Sequence, residues 1–168
     1  MNLKQLPRQA ALATITALAL GAGVAHADDM VCNGRIDAVA IDGDVKVPGN
    51  TACTLAGTRV DGNVKLESGA SLTARNARIG GNVQAENHRQ LSLAGGTVGG
   101  SVQLKQGGGA NITGVAVKGD IQLFENRRAQ TVRGNRVGGN LQCKSSRPAP
   151  TGGNNTVKGN KEDQCARL

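Results

Sequence analysis

Apolar and polar residues alternate along this chain in short bursts, with apolar residues two apart around one polar residue. The bursts are Val45-Lys-Val47, Val64-Lys-Leu66, Val83-Gln-Ala85, Val102-Gln-Leu104, Ile121-Gln-Leu123 and Leu141-Gln-Cys143. A period of two is the signature of a strand with one buried face. A second set alternates the same way: Cys53/Leu55, Leu72/Ala74, Leu91/Leu93 and Ala110/Ile112. A third places Val39/Ile41, Ala77/Ile79 and Val115/Val117 inward, with Ala40, Arg78 and Ala116 outward. The pattern predicts three short strands per unit, separated by turns.

The units repeat. Seven segments align: Ile41-Asp-Gly-Asp-Val45, Val60-Asp-Gly-Asn-Val64, Ile79-Gly-Gly-Asn-Val83, Val98-Gly-Gly-Ser-Val102, Val117-Lys-Gly-Asp-Ile121, Val137-Gly-Gly-Asn-Leu141 and Val157-Lys-Gly-Asn-Lys161. Their central Gly residues recur at spacings of 19, 19, 19, 19, 20 and 20. We expect these Gly to supply a turn conformation closed to most L-residues. One unit cannot bury its apolar face alone, whereas stacked units can. The expected fold is therefore all-β: a single-stranded parallel β-helix, or β-solenoid, right-handed, with about 19–20 residues per coil and about seven coils. At about 4.8 Å per coil the rod would be roughly 30 Å long. Stacking makes columns of equivalent positions. Asp44, Asn63, Asn82, Ser101, Asp120, Asn140 and Asn160 should form a ladder bonding coil to coil. Lys46, Lys65, Gln84, Gln103, Gln122, Gln142 and Glu162 should form an outward column, whose Gln side chains can bond along the stack.

The ends read differently. Residues 1–27 have the form of a secretory signal: Lys4 and Arg8, an uncharged apolar stretch over Ala10–Val24, and Ala25-His-Ala27 as a cleavage site. The mature chain, residues 28–168, would be secreted or periplasmic, with no transmembrane segment after cleavage. Four Cys in an exported chain predict two disulfides. The coil period selects Cys32–Cys53 and Cys143–Cys165, each one coil plus two or three residues apart, as staples at the two ends. Residues 145–168 read as an irregular loop over Ser145–Asn155, followed by a charged cap at Lys161-Glu-Asp163.

Over Ile41–Val157 the repeated Val-x-Gly-Asn-Val-x-Leu resembles the repeat of bactofilins, bacterial polymer-forming β-helix proteins. The resemblance implies a short-coil β-helix and end-to-end assembly. Bactofilins are cytoplasmic, so the signal segment and the Cys pairs depart from their pattern. The segment Leu141–Cys165 resembles tails of exported bacterial proteins.

Composition narrows the function. There are 25 Gly and one aromatic residue, Phe124. So much Gly argues against a helical bundle, because each costs a helix about 1 kcal/mol. The missing rings argue against a surface that stacks aromatics on sugars or bases, and against sequence-specific nucleic-acid recognition. After cleavage His88 is the one remaining His and the Cys are paired, so we expect no metal site and no cofactor. Asp42 and Asp61 occupy equivalent outward positions one coil apart and could serve as an acid/base pair, which makes a small polysaccharide lyase or hydrolase the alternative reading. Charge is the stronger lead. The mature chain holds 18 Lys and Arg against 12 acids. In coil register the turn after the Val-x-Leu burst carries His88, Arg89, Lys105, Arg127, Arg128, Lys144 and Arg147, while Arg59, Arg78 and Arg136 share another outward column. A basic edge on a rigid rod attracts anionic polysaccharide or another polyanion. The sequence thus predicts a non-enzymatic structural or binding module, a monomer or weakly self-associating, with an end-to-end scaffold as a further alternative.

Overall fold

A computed structural model describes residues 29–168. The signal segment lies outside the described residues. The chain winds as a β-solenoid of three parallel sheets. The first sheet has eight strands, from Met30–Val31 to Lys161–Asp163. The second has seven, from Gly34–Ile36 to Thr151–Gly153, and the third seven, from Ala40–Ile41 to Thr156–Val157. The register is the repeat made visible. Val64, Val83, Val102, Ile121 and Leu141 pair coil by coil in the first sheet. Val60, Ile79, Val98, Val117, Val137 and Val157 do so in the third. These columns, with Leu55, Leu72, Leu91, Leu93 and Ile112, fill a thin aliphatic core.

The turn ladder forms, and it bonds side chain to backbone. Asp44 Oδ1 accepts from the Asn63 N–H at 2.7 Å, Asn63 Oδ1 from Asn82 at 2.8 Å, and Asn82 Oδ1 from Ser101 at 2.8 Å. Ser101 Oγ accepts from Asp120, Asp120 Oδ1 from Asn140, and Asn140 Oδ1 from Asn160. The glycine beside the ladder has a different cause from the one expected. Gly62, Gly81, Gly100, Gly119, Gly139 and Gly159 do not take positive φ. A Cβ on Gly62 would overlap Asp44 Oδ1 and the Gly43 carbonyl of the coil before, and the same clash recurs up the stack. These glycines make room for the ladder. Left-handed glycines sit elsewhere, at the corner between the second and third sheets. There Gly57, Asn76, Gly95, Gly114, Gly134 and Asn154 have φ between 51° and 66°. Gly and Asn are the residues that tolerate that conformation best.

A second, internal polar column was not foreseen. Asn135 is buried; its Oδ1 accepts from Val115 N–H at 2.9 Å, and its Nδ2 donates to Ile112 O at 2.8 Å and to Asn155 Oδ1 at 2.9 Å. Asn126 is likewise buried, accepting from Gly107 N–H and donating to Leu104 O. At the equivalent of Asn135 in the first coil, Val39 was expected inward; it is 51 % exposed, and the column is first buried one coil on, at Thr58, which donates to Ile36 O and Asp37 O.

Both disulfides form as the period requires, Cys32–Cys53 and Cys143–Cys165. Disulfides persist in oxidising, non-cytoplasmic compartments. No helix among the described residues is long and apolar enough to cross a membrane. The segment Ser145–Asn155 is less irregular than expected. Thr151–Gly153 pairs with Thr131–Arg133 and continues the second sheet, because Gly152 can lie against Val132 O where a Cβ could not. Lys161–Asp163 closes the first sheet on Leu141–Cys143.

Replacing Asn135 by Ala leaves the Val115 N–H buried and unbonded and removes the side-chain bonds to Ile112 O and Asn155. We expect a loss of about 2–4 kcal/mol in urea unfolding, against a change within about 0.5 kcal/mol for exposed Asn111→Ala. Equal midpoints for the two variants would show that the internal column is not a stabilising element.

Candidate functional site

The basic residues gather at the corner where the first sheet turns into the second. Two rows flank it. Lys105 and Lys144 end strands of the first sheet and stack in one column with Glu86 and Phe124, in the order Glu86, Lys105, Phe124, Lys144. Arg89, Arg127 and Arg147 form the other row. Their turns are stacked by backbone bonds from Gly108 N to His88 O, Arg127 N to Gly107 O and Arg147 N to Asn126 O, so Gly108 stands between Arg89 and Arg127. All five cations are exposed, as is Arg128. The repeat lengthens from 19 to 20 residues at this corner: Lys105 pairs with Phe124 at the shorter spacing and Ala110 with Gln130 at the longer. Arg127 and Arg128 lie inside that extra-residue turn. The backbone is constrained here too. Asn87, Gln106, Glu125 and Ser145 carry φ of 53° to 56° at equivalent places, and three of the four are residue types that rarely adopt it.

The corner is not purely cationic. Glu86 and Glu125 are exposed within it, and Gln106 Nε2 donates to Glu125 Oε2 at 2.9 Å. Arg89 Nε donates to Ser71 Oγ at 3.1 Å. Charge pairing differs along the rod. Among the described residues the four ion pairs are Arg35–Asp37, Lys46–Glu67, Arg59–Asp61 and Lys65–Asp44, all within the first coils. Residues 29–67 hold four cations and six acids, whereas residues 68–168 hold fourteen cations and five acids. The basic corner lies wholly in the second part.

His88 does not belong to the exposed edge. It is 2 % exposed and points inward in the column that continues through Gly107, Asn126 and Ser146. Neither ring nitrogen reaches a hydrogen-bond partner. The ring fits because the next coil presents Gly107, where a Cβ would overlap the imidazole. Burial pushes its pKa below the ordinary value, opposed by the nearby Gly109 backbone.

The other candidates lie on and beside the third sheet, where Asp61 stacks over Asp42 on adjacent coils. Asp61 accepts from Arg59 Nε at 2.7 Å and lines a shallow cavity of about 250 Å³ on the third sheet with Arg78, Gly80, Gly99 and Lys118. Asp42 is exposed on the first coil and does not line that cavity. Arg59 and Arg78 stack directly, while Thr97 and Ala116 separate them from Arg136. Asp44, accepting from the Asn63 N–H and from Lys65 Nζ, is held below the usual carboxylate range, chiefly by the backbone bond. Compared with family models, with curated proteins and with solved structures, the chain finds no match.

The buried imidazole makes stability pH-dependent in a window of its own. The folded state disfavours the protonated ring, whereas the unfolded chain takes up a proton near the ordinary value of about 6.5. Stability is therefore complete above about pH 6.5 and falls as the pH drops below it. His88→Leu removes both unbonded nitrogens and should give a urea midpoint that is flat from pH 7.5 to 5.5 and no lower than wild type at pH 7.5. An unchanged acid slope in that variant would assign the effect elsewhere.

Proposed function

We propose that this chain is an exported, non-enzymatic β-solenoid that binds anionic polymers through the basic corner. The observation that supports this reading most is the separation of charge along the rod. Acids neutralise the cations of the first coils, whereas Arg89, Arg127, Arg128, Arg147, Lys105 and Lys144 stand exposed with two acids among them. A rigid parallel stack holds these charges in fixed rows at about 4.8 Å per coil. A polyanion thus meets a patterned field, not a diffuse one. The two disulfides and the signal-like leader together favour secretion or the periplasm as its place of action. The test is retention of the oxidised mature protein on heparin, with a neutral polysaccharide as control, across a salt gradient. Retention beyond that of a protein of equal net charge is expected, with the Arg89→Ala, Arg127→Ala, Arg128→Ala triple variant eluting at clearly lower salt. Elution of the variant with wild type would remove the corner from the interaction.

A second reading, end-to-end assembly as the bactofilin resemblance implies, draws on the first coil. Met30, Val31 and Val39 are 40 %, 62 % and 51 % exposed there. Under that reading a second copy covers this end. Sedimentation of the mature protein should then show mass rising with concentration, and Val31→Lys should abolish the rise. A constant monomer mass at every concentration discards the reading.

A further inference from the structure

The core of this rod is aliphatic, and the chain spends its one aromatic ring outside it. Phe124 is half-buried on the outer face of the first sheet, at the end of Ile121–Phe124. It stacks between Lys105 on one coil and Lys144 on the next. On the same face, two residues earlier in each strand, runs an amide ladder. Gln84 Nε2 donates to Gln103 Oε1 at 3.1 Å, Gln103 to Gln122 at 3.1 Å, Gln122 to Gln142 at 2.9 Å, and Gln142 to Glu162 at 2.8 Å. Gln84, Gln103, Gln122, Lys105 and Phe124 line a shallow cavity of about 460 Å³.

The chemistry of this face is specific. Each amide has two N–H donors and two oxygen lone pairs, and the ladder uses one of each at Gln103, Gln122 and Gln142. One donor and one acceptor per coil remain for a ligand. A sugar hydroxyl both donates and accepts, so it matches that pair. The Phe124 ring offers an apolar face of the kind that packs against the C–H face of a pyranose. Lys105 and Lys144, one coil to either side, supply cations for carboxylates on neighbouring sugars. We infer that the first sheet carries a glycan-binding strip centred on Phe124, taking an acidic polysaccharide laid along the rod axis. This rests on the polyanion reading and narrows it, since Lys105 and Lys144 belong to both. Few rings argue against an extended aromatic platform; one ring set between two lysines above an amide ladder makes a single sugar subsite.

The test compares three probes by calorimetry: oligogalacturonate, polyphosphate of matched charge, and a deoxythymidine oligomer. Wild type should prefer oligogalacturonate. Phe124→Ala, and Phe124→Leu, which keeps most of the apolar volume, should weaken oligogalacturonate about five- to tenfold. Both should leave polyphosphate within about twofold. The Lys105→Ala, Lys144→Ala double variant should weaken both polymers. Oligogalacturonate binding unaffected by either Phe124 variant would overturn the sugar strip while leaving polyanion binding in place. Tighter binding of the deoxythymidine oligomer, lost in Phe124→Ala, would assign the ring to bases and overturn it too. No binding of any probe would overturn the polyanion reading itself, and the strip with it.

Discussion

The structure depends on one constraint: the backbone of each coil must lie hydrogen-bonded against the coil before it, at a separation that leaves no room for an extra atom at the turn. Strands of the third sheet are only two residues long, such as Arg59–Val60 and Arg78–Ile79. A pair that short cannot stand alone, since each bond contributes only about 0.5–1.5 kcal/mol net. It stands because the turn that follows is locked as well. The ladder from Asp44 through Asn160 joins each turn to the next, and the glycine beside it admits the close approach. Register, core and surface columns all follow from that lock. A one-residue slip would turn every Val–x–Leu face outward, so the ladder selects the fold as well as stabilising it.

Repetition is why so much of this could be read from the chain. The period located the three sheets, the aliphatic columns, the Gln column and both disulfides, because stacking converts spacing in sequence into adjacency in space. It failed where a residue has two separable reasons to be present. Glycine is both conformationally free and small. Gly62 and its equivalents are needed for smallness, whereas freedom of φ is used at Gly57, Gly95, Gly114 and Gly134. A pattern of letters does not separate the two. His88 failed for a related reason. Coil register grouped His88 with the basic edge, but the inward place in that corner is filled in later coils by Gly107, Asn126 and Ser146, and His88 occupies the same column. The buried Asn135 and Asn155 carried a signal, their 20-residue spacing, that hydrophobic pattern alone does not weigh.

The basic corner was legible as a cluster and not as a shape. Coil register brings the lysines and arginines to one corner, where they divide into two rows, with Phe124 in one and Gly108 in the other. A count of one aromatic said nothing about where that ring would stand. Its place is fixed by strand length: strands of the first sheet grow from three residues at Val64–Leu66 to four from Val83–Glu86 through Leu141–Lys144. The added position is where Glu86, Lys105, Phe124 and Lys144 lie. That position faces outward, so lengthening the strand extends the surface and leaves the core unchanged.

Rigidity gives this surface its particular economy. Long flexible cations on a loop lose backbone and side-chain freedom when a ligand orders them. Here the backbone freedom is already spent in forming the coils, and the amides of the Gln column are already aligned by their own ladder. Only the outer ends of the lysines and arginines remain to be ordered on contact. For a polymer bound as proposed, the cost that remains falls on the polymer, which must straighten to follow the rod. A chain that is already extended, with charges spaced on the scale of one to two coils, would lose least in doing so. Under the proposed polyanion reading, the same lattice that forces glycine beside the turn ladder would favour polymers by their stiffness and charge spacing.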